Sequence, residues 1–179
     1  MAVGLLIAPM PPCITIPRAG TRVSGDVKVC PGTYRIPDPR EQGVLIVTAS
    51  DTRLDLSGVT LESGDSVPSR FVGTGVAVQG SDRVMISGGR IRGYRWGIRV
   101  DGGSGHRIED LALSGSRAQA LLSTPLKYDE GDWLDIFHPD STLAYGGGLV
   151  LLDADRATVL RVHANGAQNG IALIRTTRS

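Results

Sequence analysis

The stretch GVAVQGSDRVMISGGRIRGYRW, residues 75–96, is followed directly by GIRVDGGSGHRIEDLALSGSRA, residues 97–118, with glycines and branched aliphatic residues in equivalent places. The pattern returns as GLVLLDADRATVLRVHANGAQN at residues 148–169. Each unit is 22 residues long, and the glycines that open successive units are Gly75, Gly97, Gly148 and Gly170. A fixed period of this length predicts one supersecondary unit, repeated and stacked, because a single unit cannot bury its own apolar face.

One of the units carries an insertion. Gly97 and Gly148 are 51 residues apart, which is 29 more than one period of 22. The extra segment is QALLSTPLKYDEGDWLDIFHPDSTLAYGG, residues 119–147, and its composition differs from that of the repeats. In repeat proteins such an insertion lies on one side of the stack and often carries the function.

Within each unit, three short runs alternate apolar and polar residues, as around Val76, Val84 and Ile91, with glycine-rich turns between them. A period of two predicts half-buried strands. The hydrophobic content of 41%, with 4% aromatic residues and 24 glycines, suits short strands joined by tight turns. Propeller blades are longer, at about 40 residues. The sequence therefore predicts an all-β fold, a β-solenoid of three-sided coils with one inserted lobe.

Equivalent apolar residues of successive coils should stack inside this solenoid. The residues that follow the leading glycines are Val76, Ile98, Leu149 and Ile171. Neighbouring parallel strands are about 4.8 Å apart, so these side chains would pile up along the axis and form the core.

The pattern G-[VIL]-x-[VL], followed by a polar turn and a V-x-I run, resembles the right-handed parallel β-helix repeat of the pectate-lyase-like superfamily, including its NosD-like and carbohydrate-binding and sugar-hydrolase groups. CPGTY at residues 30–34, followed by GVLIV and LDLSG, resembles the first coils of such proteins. The resemblance covers most of residues 30–179 outside the insertion and implies a right-handed parallel β-helix. It implies little chemistry, because the shared residues are core and turn positions.

We expect one β-helix domain over residues 1–179, with residues 119–147 inserted in it. The last unit contains only the residues from Gly170 to Ser179 and no polar cap, whereas complete solenoids shield their final coil. The chain is therefore expected to be the N-terminal part of a longer solenoid, or to have its open C-terminal edge covered by association.

Charge and cysteine content bear on partners and location. The formal charge of +1 and the lack of a long apolar stretch argue against nucleic acid as a partner and against a membrane span. Cys13 and Cys30 enclose two predicted short strands and a glycine-containing turn, so they form either a disulfide or two buried thiols. A disulfide requires an oxidising compartment. The expected location is secreted or periplasmic, and the apolar residues 1–12 are the end of a signal segment or a first strand.

The insertion contains the candidate catalytic residues. Its acids include Asp129, Asp132 and Asp135, and His138 lies beside them. Two carboxylates can act as general acid and base on a sugar, and clustered carboxylates can bind Ca²⁺, the one cofactor considered. Alternatively, they are helix caps and solvated charges, because no metal-binding or catalytic spacing is present. Trp133 and Phe137 predict a short amphipathic helix that packs its aromatic side against the solenoid.

The candidate substrate-binding residues are arginines and tyrosines. Arg95 and Arg117 are 22 residues apart and should therefore stack on one face, with Arg92 close by. Arginine can bind carboxylates in bidentate fashion, and tyrosines such as Tyr128 and Tyr145 can form a platform for sugar rings. The alternative is a solubilising surface.

Three functions fit the sequence. The first is an extracytoplasmic protein that binds or processes a polysaccharide, such as an anionic uronan. The second is a non-catalytic scaffold or adhesion module that uses the same rigid face. The third, implied by the NosD-like resemblance, is a periplasmic accessory protein in metal-centre maturation, against which the lack of a His, Met and Cys cluster counts. The sequence leaves open whether the protein is an enzyme.

Overall fold

The computed structural model describes residues 12–118 and 143–179. Their strands, numbered in chain order, form three all-parallel sheets. Sheet 1 contains β1 (Thr21–Val23), β4 (Leu45–Val47), β7 (Thr74–Gln79), β10 (Trp96–Asp101), β13 (Gly147–Leu152) and β16 (Asn169–Ile174). Sheet 2 contains β2 (Asp26–Lys28), β5 (Arg53–Asp55), β8 (Met85–Ser87), β11 (Arg107–Glu109) and β14 (Thr158–Leu160). Sheet 3 contains β3 (Gly32–Arg35), β6 (Val59–Glu62), β9 (Arg90–Arg92), β12 (Ala112–Ser114) and β15 (His163–Asn165).

The chain visits the three sheets in turn, so each coil takes one strand from each sheet. Coil 1 is β1–β3, coil 2 is β4–β6, coil 3 is β7–β9, coil 4 is β10–β12, coil 5 is β13–β15, and β16 begins coil 6. This is the predicted parallel β-helix. A 3-10 turn, Pro68–Arg70, lies in the connection between coils 2 and 3, and residues 143–145 are helical.

The predicted glycine register is confirmed. Trp96 pairs with Thr74 and with Gly147, which places Gly97 level with Gly75 and with Gly148. The step from 96 to 147 is 51 residues, so the extra residues lie between β12 and β13, and Gly147 itself belongs to β13. The glycines are needed because the backbones approach closely. A Cβ atom on Gly97 would lie 2.6 Å from the carbonyl oxygen of Gly148.

The core is the interior of the solenoid. Val76, Ile98 and Leu149 are level with one another and fully buried, as predicted for the first three members of the stack. The fourth, Ile171, holds the expected register, yet 43% of its surface is exposed. Leu173, also in β16, is 53% exposed, so the end of sheet 1 at β16 presents apolar side chains.

The outer face of sheet 1 is also buried. Ile46 and Ala77 are paired across β4 and β7 and lie outside the core cluster, but each is only 4% exposed. Trp96 is buried and donates a hydrogen bond from Nε1 to the carbonyl oxygen of Leu143 at 3.3 Å. This bond attaches the C-terminal end of the insertion to coil 4.

The Cys13–Cys30 disulfide is present, with the two Cα atoms 4.8 Å apart. It lies beside a parallel bridge between Ile14 and Val29, in which the Ile14 amide donates to the carbonyl of Lys28. The disulfide therefore joins the residues before coil 1 to the segment between β2 and β3. Among the described residues, no helix is long and apolar enough to span a membrane.

Candidate functional site

The outer face of sheet 3 carries two rows of side chains that run parallel to the solenoid axis. The central residues of its strands, Leu61, Ile91 and Leu113 among them, belong to the core, so the residues on either side point outward. Row A consists of Thr33, Thr60, Arg90, Ala112 and His163. Row B consists of Arg35, Glu62, Arg92, Ser114 and Asn165. The two rows hold three arginines against one glutamate, so this face is cationic.

A groove of about 710 Å³ follows row A along four coils, at the turn between sheets 2 and 3. Thr60 of coil 2, Arg90 of coil 3, Ala112 of coil 4 and His163 of coil 5 line it. The turn of coil 3 is formed by Gly88 and Gly89, both with positive φ, so it presents no side chain there. An open groove that spans several coils suits an extended polymer better than a compact ligand.

The acidic group in this groove is held by an arginine. Arg161 donates from Nε to Asp110 Oδ1 at 2.5 Å and from Nη2 to Oδ2 at 2.9 Å. The Arg161 guanidinium lowers the pKa of Asp110. The neighbouring Glu109 accepts from Arg107 at 2.7 Å and from Arg161 at 3.3 Å. Asp110 is therefore an ionised, paired group at neutral pH.

Arg90 differs from these arginines. Its side chain is exposed, and it makes no ion pair or side-chain hydrogen bond with the described residues. Of the arginines that line the groove, it therefore has its donors available to a ligand. A guanidinium presents five N–H donors in a planar fork that matches a carboxylate.

Row B is organised around Glu62, whose side chain is 8% exposed. Arg35 donates from Nε to Glu62 Oε1 at 2.8 Å, and Arg92 donates from Nε to Oε2 at 2.8 Å. Arg92 first, and then Arg35, lower the pKa of Glu62. Because the two arginines bind through Nε and Nη2, their Nη1 groups point away from Glu62. A second groove, of about 470 Å³, contains all three residues together with Ser114.

The predicted arginine face is divided between two places. Arg92 points outward from sheet 3, whereas Arg95 lies three residues further, in the turn to sheet 1, and binds Glu41 at 2.8 Å. The Arg117 amide donates to the carbonyl of Tyr94 at 2.9 Å, which makes Arg117 level with Arg95 on the next coil, as the period predicted. The Nε atoms of Arg95 and Arg117 are buried without a hydrogen-bond partner.

Most candidates in the insertion lie outside the described residues. These are Asp129, Asp132, Asp135, His138, Tyr128, Trp133 and Phe137. Tyr145 is described, is half-buried and lies just before β13. In the part of the chain that the structure describes, no cluster of three or more His, Cys, Asp or Glu side chains could hold a metal ion. The proposed catalytic and Ca²⁺-binding roles remain predictions.

Three residues of the groove were not among the candidates that the sequence suggested: Arg90, Arg161 and His163. The period would have grouped two of them, because Arg90 and Ala112 are 22 positions apart and His163 follows Ala112 by the 51-residue step across the insertion. The sequence alone does not show that Arg90 has no ion pair among the described residues, whereas Arg92 is bound to Glu62.

Comparisons of the chain with models of known protein families, with curated proteins and with solved structures give no match. The assignment to a parallel β-helix therefore rests on the strand pairing itself.

Proposed function

We propose that the outer face of sheet 3 binds an acidic polysaccharide, which lies along the row A groove parallel to the solenoid axis. The observation that carries this proposal is Arg90, an exposed guanidinium without an ion pair among the described residues, in a groove that extends over four coils. A uronan offers repeated carboxylates on an extended chain, and each carboxylate can accept two parallel hydrogen bonds from a guanidinium.

The acidic groups on sheet 3 and in the turn before it also support binding. Asp110 and Glu62 are paired with arginines, and their pKa values lie below the ordinary range of carboxyl groups. A general acid needs a pKa near the working pH, so these two groups are unsuited to that role and instead hold guanidiniums in place. The proposed activity of the described face is therefore binding.

The same proposal includes the compartment and the family. The Cys13–Cys30 disulfide is compatible with an oxidising, extracytoplasmic location, where polysaccharides are met. The resemblance of the repeats to the pectate-lyase-like superfamily supports a carbohydrate ligand. A scaffold without a glycan ligand is the alternative function, and it is the conclusion if the binding experiment fails.

The test is calorimetric titration of the protein with a galacturonate oligosaccharide. Replacing Arg90 with alanine should weaken binding by about tenfold or more, since a hydrogen-bonded charged group contributes about 1.5–3 kcal/mol. Arg53→Ala is the matched control, because Arg53 is an exposed arginine on the outer face of sheet 2. It should bind like wild type. Binding should also weaken as salt is raised, because exposed charges are screened beyond about 8 Å at physiological ionic strength.

Equal affinities of wild type, Arg90→Ala and Arg53→Ala would contradict the proposed site. A lack of binding by the wild-type protein to any acidic oligosaccharide would leave the scaffold function.

A further inference from the structure

The outer face of sheet 3 changes its side-chain size abruptly at coil 4. On coil 3, β9 presents Arg90 and Arg92, and both are exposed. On coil 4, β12 presents only Ala112 and Ser114, and both are half-buried. On coil 5, β15 presents His163 and Asn165, and both are exposed again. Coil 4 is therefore a depression between two walls of long polar side chains.

The register sets the width of this depression. Ala112 pairs with Arg90 on one side and with His163 on the other. Neighbouring strands are about 4.8 Å apart, so the backbones of Arg90 and His163 are separated by about 9.6 Å. Only the methyl group of Ala112 rises between them in row A. The groove of about 710 Å³ passes through this point, so the depression is open along the axis and outward.

The two walls of the depression offer different hydrogen-bonding groups. On the coil 3 side, Arg90 offers donors that no other described side chain binds. On the coil 5 side, His163 offers ring nitrogens that can donate or accept, and Arg161 is bound to Asp110. An anionic group should therefore face Arg90, while neutral hydroxyl groups can face His163. The floor is the apolar methyl group of Ala112, which suits the C–H face of a sugar ring.

We propose that this depression is a subsite that seats one uronic acid residue of a polysaccharide, with the ring over Ala112 and the carboxylate directed to Arg90. The inference rests on the function proposed above. It adds where one sugar residue binds and how the shape of the depression selects it. Ala112 is then the specificity-determining residue, because any larger side chain at that position would fill the depression and exclude the sugar ring.

Ala112→Lys separates this subsite from general attraction to a cationic face. If charge alone governs binding, an added lysine in row A should strengthen the binding of the galacturonate oligosaccharide. If a sugar ring occupies the depression, the lysine side chain displaces the ring. The affinity for the oligosaccharide should then fall by about tenfold or more, as expected for loss of the charged hydrogen bonds between Arg90 and the carboxylate. Thr158→Lys is the matched control, since Thr158 is exposed on the outer face of sheet 2 in β14. It adds the same charge and should bind like wild type.

One further variant separates size from charge. Ala112→Leu fills the depression without adding charge and should bind about tenfold more weakly. Circular dichroism and thermal unfolding of each variant establish that the solenoid is intact, which is expected because residue 112 points out of the core.

The outcomes distinguish the two proposals. Binding by Ala112→Lys that is as tight as wild type, or tighter, overturns the subsite; if Arg90→Ala still weakens binding, the proposed function stands without it. If Arg90→Ala also binds like wild type, both proposals fail.

Discussion

The imidazole of His106 lies in the turn between sheets 1 and 2 of coil 4, with 1% of the residue exposed. Its Nε2 atom is 3.1 Å from the carbonyl oxygen of Gly102. A carbonyl only accepts hydrogen bonds, so Nε2 carries the proton in the neutral ring. Nδ1 is buried without a partner. Burial lowers the pKa of His106, against smaller opposing effects of the Gly102 hydrogen bond and of Asp82.

This histidine should make the stability of the protein depend on pH. The folded-state pKa lies below the unfolded value of about 6.5, so the unfolded chain takes up the proton first as pH falls. The stability contributed by neutral His106 is therefore fully present above about pH 6.5 and is lost as pH falls through the folded-state pKa. Urea unfolding at about pH 7.5 and about pH 5 should show a lower free energy of unfolding at the acid pH.

His106→Gln should remove most of that difference, because glutamine can donate to the Gly102 carbonyl and does not titrate. His163→Gln is the control: this histidine is exposed on sheet 3, so the variant should keep the wild-type pH dependence. Arginine partners lower the pKa values of carboxyl groups such as Glu62 and Asp110, which therefore stay ionised at both pH values. A pH dependence of His106→Gln equal to that of wild type would count against this explanation.

At the scale of the element, the glycine column of sheet 1 determines how closely the coils stack. Gly97 has no room for a side chain, since a Cβ atom there would approach the Gly148 carbonyl oxygen at 2.6 Å. Gly170 holds the equivalent place in β16, and its nearest neighbour would be the carbonyl oxygen of Ala164 at 3.8 Å. The two glycines share a register, but β13 lies beside Gly97 on the next coil, whereas no described strand lies beyond Gly170.

We therefore expect Gly97→Ala to lower the free energy of unfolding by about 2 kcal/mol, in the range found for overpacked cores. Gly170→Ala should change it by less than about 0.5 kcal/mol, because the added methyl group meets only ordinary contacts. Chemical denaturation of both variants measures this. Equal destabilisation would mean that the glycines are required for backbone conformation and not for the close approach of the coils.

The sequence predicts the strands and their inward-facing residues where the period of 22 is strict. Where the period is not strict, it does not show which residues face the core. The glycine register is confirmed, and of the two alternatives for Cys13 and Cys30 the structure contains the disulfide. Alternation does not show which residues of Val44–Val47 point into the solenoid. All four residues are apolar, and all four are buried, on both faces of sheet 1. Asp38 lies between Pro37 and Pro39 in the sequence. Its buried carboxylate accepts hydrogen bonds from the amides of Gly43 and Thr74, which is a tertiary contact that no local pattern encodes.

In the candidate site, too, the repeat predicts the position of the residues but not their ion pairs. Register alone places Arg90, Ala112 and His163 in one row, so the row could have been predicted. Which arginine is unpaired depends on where acidic side chains fall on neighbouring coils. Glu62 lies between Arg35 and Arg92 in row B, and Arg90 has no such neighbour in row A.

At the scale of the molecule, ion pairs between successive coils tie the stack together along its axis. Arg83 of coil 3 binds Asp51 of coil 2 at 2.7 and 2.8 Å, and Arg161 of coil 5 binds Asp110 of coil 4. These pairs lie at turns and are exposed, so each contributes little stability by itself.

The N-terminal end of the stack is held differently, by the Cys13–Cys30 disulfide, which closes a loop with a sequence separation of 17. Ile14 bridges to Val29, and Ile16 is buried against the core, so the crosslink fixes the chain that covers the first coil. In the chain-entropy model a loop of this length contributes about 3 kcal/mol to stability.

Wild-type protein treated with dithiothreitol should therefore unfold at a lower denaturant concentration, with a loss of about 3 kcal/mol. The double variant Cys13→Ser, Cys30→Ser should unfold like the reduced wild type and should not respond to the reductant, which separates loss of the crosslink from other effects of the treatment. If reduction leaves the midpoint unchanged, the bridge Ile14–Val29 and the packing of Ile16 hold the first coil without it. A protein that loses this much stability on reduction is suited to an oxidising compartment, where an extracellular polysaccharide would be met.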